Sequence, residues 1–321
     1  MLFLRGCVAS LRLSLREGID RPTTGAWCRA LSSGHPVRRA AAIVRLSSFF
    51  GGVDRMRRSL LALSLGMGFS IIASTASASH DWNNYHWART TSSFNLATVD
   101  SVTSTWQPMF NTSVSQWSSS TKLNLVASQG TETASARSAC TPIAGKLRVC
   151  NYTYGQNGWS GLASINLDSR GHISQGTAKM NDSYSFTSNA RYHVMCQEIG
   201  HVLGLDHTST NGTSQNTCMD YSQSASSTAP NAHDYAELTS LYGHLDSYSS
   251  ASSSMALSAQ EIALTDGPMG RLEMVGGVPL GHLVKRERFA ETYVAPDGKG
   301  GLWIHHITLA PEAENLDLIE E

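Results

Sequence analysis

From Val99 to Trp117 apolar side chains recur at three- and four-residue spacing (Val99, Val102, Trp106, Phe110, Val114, Trp117), the stripe of an amphipathic helix. Lys122 to Val126 then alternates and predicts a strand. Lys146 to Tyr154, Gly161 to Leu167 and His172 to Met180 predict three more, the last two separated by the turn cluster Asp168-Ser169-Arg170-Gly171. Helical character returns from Ala190 to about Leu203, and a Ser/Thr/Asn-rich loop follows at 208–217. Pro230 to Gly243 predicts a closing helix, with Asp234 early and Gly243 as its stop. The alternation of strands and helices predicts an α/β domain over 79–245.

What flanks this domain is different in kind. From Met56 the chain has the charge pair Arg57-Arg58, a short apolar run from Leu60 to Ile72, and the small residues Ala76-Ser77-Ala78. That is the layout of a secretory signal peptide, 56–78, whose apolar run falls short of the ~20 residues a membrane span needs. Residues 1–55 then read as an upstream over-extension of the chain. Beyond 245, a Ser-rich stretch at 246–258 reads as a linker. The segment 259–321 reads as an acidic appendage, β in places (Arg271 to Val275, Gly301 to Ile307), with no function assigned.

Charge sharpens the division. Residues 1–78 hold 11 Lys+Arg against 3 Asp+Glu, and 246–321 hold 5 against 12, although the whole chain is near neutral at −1. A near-neutral chain does not bind nucleic acid through a basic field. Four cysteines remain in the exported part, Cys140, Cys150, Cys196 and Cys218. An even number in an exported chain predicts two disulfides, with three possible pairings; Cys140 with Cys150 is the local choice, leaving Cys196 with Cys218.

The chemistry concentrates in Cys196-Gln197-Glu198-Ile199-Gly200-His201-Val202-Leu203-Gly204-Leu205-Asp206-His207. On a helix, positions 197 and 201 lie about 6 Å apart along the axis and about 40° apart around it, so both can face one metal ion. Glu198 sits beside that point, where a carboxylate can take a proton from water. His207 can join His201 only if the helix breaks between them, and Gly204 is where it can. His193, eight residues before His201, is too far along the helix to share an ion and reads as a surface or packing residue. His305 and His306 alternate faces of a strand and make a weak metal pair.

The stretch resembles the zinc signature of the metzincin peptidases, HExxHxxGxxH followed by a Met-turn, matched by Glu198, His201, Gly204, His207 and Met219 in Cys218-Met219-Asp220-Tyr221. Gly171-His172-Ile173, Asp234 and Tyr242 extend the likeness towards the matrixin branch, over 94–245. The resemblance implies a twisted mixed sheet, an active-site helix and a C-terminal helix. It also implies a zinc ion held by Gln197, His201 and His207, Glu198 as general base, Tyr221 near the oxyanion, and Met219 as the site floor. A Cys196–Cys218 bridge would fix that floor to the helix. The implied activity is exported, monomeric zinc endopeptidase action on protein or peptide chains, with the substrate added as a strand beside 172–180. The chain departs from the family at Gln197, where the first histidine should stand. Gln197 is a weaker neutral ligand, or Tyr221 and water replace it, or the protein is an impaired relic that binds peptides.

Overall fold

The computed structural model describes residues 79–251, 274–275 and 277–311. The expected leader and signal peptide, and most of the expected linker, lie outside these residues. In chain order the elements are β1 (Phe94–Ser101), α1 (Gln107–Trp117), β2 (Leu123–Gln129), α2 (Ala134–Ala139), β3 (Leu147–Tyr152), β4 (Trp159–Leu167), β5 (Ile173–Asn181), α3 (Ser188–Val202) and α4 (Ala232–Leu241). The short strands β6 (Met274–Val275) and β7 (Val278–Pro279) follow, then β8 (His282–Arg286), β9 (Ala290–Pro296) and β10 (Leu302–Leu309).

The predicted strands and the two later helices appear within a few residues of their expected bounds. The first helix does not. Val99 lies in β1, and the helix starts only at Gln107, with Pro108 in its first turn. In β1 seven of eight positions are buried, so the strand shows no period-two alternation, and the spacing from Val99 to Trp106 imitates a helix by coincidence.

Eight strands form one sheet in the order β2-β1-β3-β5-β4-β10-β9-β8. β2, β1, β3 and β5 run parallel; β4 is antiparallel to β5, and β10, β9 and β8 continue antiparallel. The fold is thus mixed α/β, and the end of the chain is β, as expected. There β8, β9 and β10 extend the main sheet, while β6 and β7 form a separate two-stranded sheet. β5, beside which a substrate strand was expected, is an inner strand with β3 on one side and β4 on the other, so it has no edge to offer.

α3 packs on β4 and β5 and against α1. Every residue from His193 to Val202 is buried, so this helix is enclosed all round. Trp117, Leu147, Ile165, Met195, Ile199, Leu203, Met219, Leu238 and Ile304 share one core. Disulfides join Cys140 to Cys150 and Cys196 to Cys218. Among the described residues no helix is long and apolar enough to cross a membrane.

Ile304 brings β10 into this core, where it is 3% exposed. Ile304→Ala should therefore cost about 2–5 kcal/mol in a single cooperative urea transition. An unchanged midpoint, or a separate early transition, would show that the C-terminal strands are only appended.

Candidate metal centre

α3 sets up the site. Thr187 caps its start by accepting a hydrogen bond from the Ala190 N–H. Its end is sharp, because Gly204 has φ +97°, and a Cβ there would collide with the Tyr85 carbonyl oxygen. The carbonyls left open at the helix end are met from outside. The Trp87 indole donates to Val202 at 3.0 Å, the Tyr242 hydroxyl to Leu203 at 2.9 Å, and the Trp82 N–H to Gly204 at 2.7 Å.

The break turns the chain so that His207 returns towards His201, and β10 delivers a third imidazole. The ligand atoms of His201, His207 and His306 all lie within 4.8 Å of one another, and all three residues are buried. His201 and His306 rings stack at 4.0 Å, and the His207 and His306 Nε2 atoms are 3.1 Å apart. His201 Nδ1 is spent on the Leu205 carbonyl at 2.8 Å, which leaves its Nε2 a buried lone pair with no hydrogen-bond partner. Burial pulls His201 down to about 4 and His207 and His306 well below the usual histidine value, so all three are neutral near pH 7. Neutral imidazoles converging on one point, one with an unmatched lone pair, fit a divalent cation such as zinc.

Gln197 is engaged elsewhere. Its amide nitrogen donates to the carbonyls of Cys218 at 3.1 Å and Asp220 at 2.7 Å, and lies 3.2 Å from His193 Nε2. Its amide oxygen accepts from the Thr308 hydroxyl at 3.2 Å. The residue expected as first ligand thus clamps the loop around Met219 to α3, and the third nitrogen beside His201 and His207 comes from His306. His193, expected as a surface or packing residue, is buried and holds the Ser227 carbonyl at 2.6 Å.

Glu198 lies next to this group and is fully buried. One carboxylate oxygen accepts from Thr308 at 2.7 Å; the other has no hydrogen-bond partner. Burial pushes its pKa up to about 8, against the opposing pull of the Thr308 hydroxyl. The carboxylate is packed so closely on β4 that a Cβ on Gly161 would strike it. Met219 presses on the other side of the helix, and a Cβ on Gly200 would meet its sulfur and the Trp117 ring. The Cys196–Cys218 bridge ties that floor to α3. Tyr221 stacks on His207 at 3.8 Å, and its hydroxyl donates to Glu287 at 3.4 Å; burial raises its pKa.

The sequence reading missed His306. Two signals pointed to it: the ligand set was one imidazole short, and the alternation of His305 and His306 required one of them to face the helices. His305 faces the other way, held by Ser164 at 2.8 Å and the Pro279 carbonyl at 3.0 Å.

No protein-family model matches the chain, and a search of curated proteins finds no match. Among solved structures it is similar to archaemetzincin from Archaeoglobus fulgidus, crystallised with malonate, at 23% identity over 45% of this chain and 99% of that one, with a TM-score of 0.25.

Gly204→Ala combines an unfavourable positive φ with the Tyr85 collision. It should lower unfolding stability by about 1–3 kcal/mol, measured by urea denaturation. A change within a few tenths would mean the helix break tolerates a side chain.

Proposed function

We propose that the chain is an exported zinc endopeptidase whose reactive site is closed by its own C-terminal strand. The observation that carries this is the convergence of three neutral imidazoles beside a buried glutamate, at a glycine-broken helix end. His201, His207 and His306 would hold the metal in this closed form. Zinc there would supply Lewis acidity, making water acidic enough to attack a peptide carbonyl near neutral pH.

Glu198 is the base for that attack and the acid that returns the proton to the leaving amine. In the closed form it does neither, because Thr308 caps one oxygen and no solvent reaches the carboxyl. β10 runs antiparallel along β4 from Trp159 to Leu167, the strand that a peptide would otherwise pair with. Cleavage therefore requires β10 to withdraw. His201 and His207 stay behind. Gln197, released from Thr308, then offers its amide oxygen as a neutral donor one turn from His201. Tyr221, released from Glu287, has its hydroxyl free to donate to the oxyanion.

Zinc content and chelator-sensitive cleavage of unstructured peptides test the reading. Glu198→Ala should reduce kcat/KM by at least ~10²-fold, with zinc content and fold retained. Thr308→Glu sets a second carboxylate against Glu198, so it should loosen β10 and raise cleavage several-fold, a gain that Glu198→Ala cancels. Cleavage that survives chelation, or that Glu198→Ala leaves intact, would sink the proposal.

A further inference from the structure

A second group of imidazoles lies apart from the first, built from three distant parts of the chain. His86 belongs to the arm 79–88, His172 immediately precedes β5, and His244 and Asp246 follow α4. One oxygen, Asp246 Oδ1, lies 3.2 Å from His172 Nε2, 3.5 Å from His244 Nε2 and 3.7 Å from His86 Nε2. The Nε2 atoms of His86 and His244 are 3.1 Å apart. Four ligands around zinc at ~2.0–2.1 Å in a tetrahedron stand roughly 3.3–3.4 Å from each other. The separations among His86, His244 and Asp246 straddle that value, and the ligand atoms of these three residues all lie within 4.8 Å of one another; His172 meets Asp246 but stands outside that group.

The outer atoms are arranged as a metal site needs. His86 Nδ1 is bound to the Asn84 carbonyl at 2.8 Å, so it carries the proton and Nε2 has the lone pair. The Tyr248 hydroxyl donates to Asp168 and so receives the His172 Nδ1 proton at 3.0 Å, which turns the His172 Nε2 lone pair inward as well. The second Asp246 oxygen accepts from the Arg89 N–H at 2.9 Å, leaving Oδ1 for the cluster. The His86 ring stands at 88° to both His172 and His244, so the rings splay around a point. Burial holds His86 below its ordinary pKa and keeps it neutral. The His244 side chain is 51% exposed, which opens a path for an ion from solvent.

A comparison within the molecule shows a cluster of the same make-up whose carboxylate is already engaged. His80 and His233 lie face to face, 21° apart. Their neighbour Asp234 already accepts from the Asn231 N–H and the Thr217 hydroxyl. Its other oxygen meets His80 Nε2 at 3.0 Å, so both carboxylate oxygens are engaged, while His80 Nδ1 is buried without a partner.

We propose that His86, His244 and Asp246 bind a zinc ion, which clamps the arm to the segment after α4. Three positions are filled by side chains, and the half-exposed edge at His244 leaves the fourth to water. The inference does not depend on peptidase activity.

Metal counting on the full chain tests it. The unaltered protein should bind two zinc equivalents. The variant His201→Ala/His207→Ala should keep one, and adding His244→Ala should remove that one too. His244 is half-exposed, so its replacement leaves the packing intact, and circular dichroism checks the fold. His244→Ala alone should bind one equivalent and lose part of the rise in Tm that zinc gives the unaltered chain. With cobalt as the probe, His201→Ala/His207→Ala should still give a tetrahedral spectrum that Asp246→Asn weakens. A folded His201→Ala/His207→Ala variant without metal, or a metal count and Tm rise that His244→Ala does not change, would overturn the proposal.

Discussion

The pairing of β10 with β4 is a constraint of period two, and the candidate centre depends on its register. His306 lies opposite Ala163 and Thr308 opposite Gly161. In this register one face of β10 carries an imidazole to His201 and His207 and a hydroxyl to Glu198, while Gly161 leaves room for the carboxylate. A slip of one residue would exchange the two faces. His305 and Ile307 would then meet the helices, and His306 would lose its partners. The other face resists the slip as well, since His305 is buried and hydrogen-bonded on both nitrogens, and a buried unmatched nitrogen costs about 1–3 kcal/mol. The register is thus fixed from both sides of the sheet.

The same pairing manages an edge. Without β10, β4 would present nine residues of buried strand to solvent, a surface open to association with other chains. The C-terminal strands move the edge outward to β8, which is five residues long, fully exposed and carries Lys285 and Arg286. Short, charged edge strands do not template further pairing. Covering Glu198 and protecting the sheet edge are therefore one structural act, since the same strand does both.

Much of this was legible from residues alone. The spacing of Glu198, His201, Gly204 and His207 needed only helix geometry, and Gly204 has the positive φ that the break demanded. Strands β2 to β5 carried their pattern in the open. β1 did not, because a strand buried on both faces has no alternation, and its Val99 lined up by chance with Val102, Trp106 and the apolar residues of α1. The role of Gln197 could not be read, since its partners are backbone carbonyls of Cys218 and Asp220 that only the fold brings near. His306 stood 99 residues from His207, and its weak strand pattern gave no register. The second imidazole cluster was hidden for the same reason: its members come from residues 86, 172 and 244–246, and no local spacing joins them.

The arm 79–88 links the two clusters. At one end its backbone is stitched to the turn after α3: the Asp206 N–H donates to His80 and the Trp82 N–H to Gly204. Trp82 sets its ring edge-on against His201 and His306 at 5.9 and 5.8 Å. At the other end the Ile173 N–H donates to the His86 carbonyl, while the His86 ring joins His172, His244 and Asp246. Between these ends the arm is anchored by side chains too, since Trp82 and Trp87 lie in the main core and the Trp87 indole donates to Val202. What holds His86 adds to these anchors of Trp82, and with it to the walls around His201 and His306. A tetrahedral ion there would stiffen the reactive centre without touching it, through seven residues of backbone.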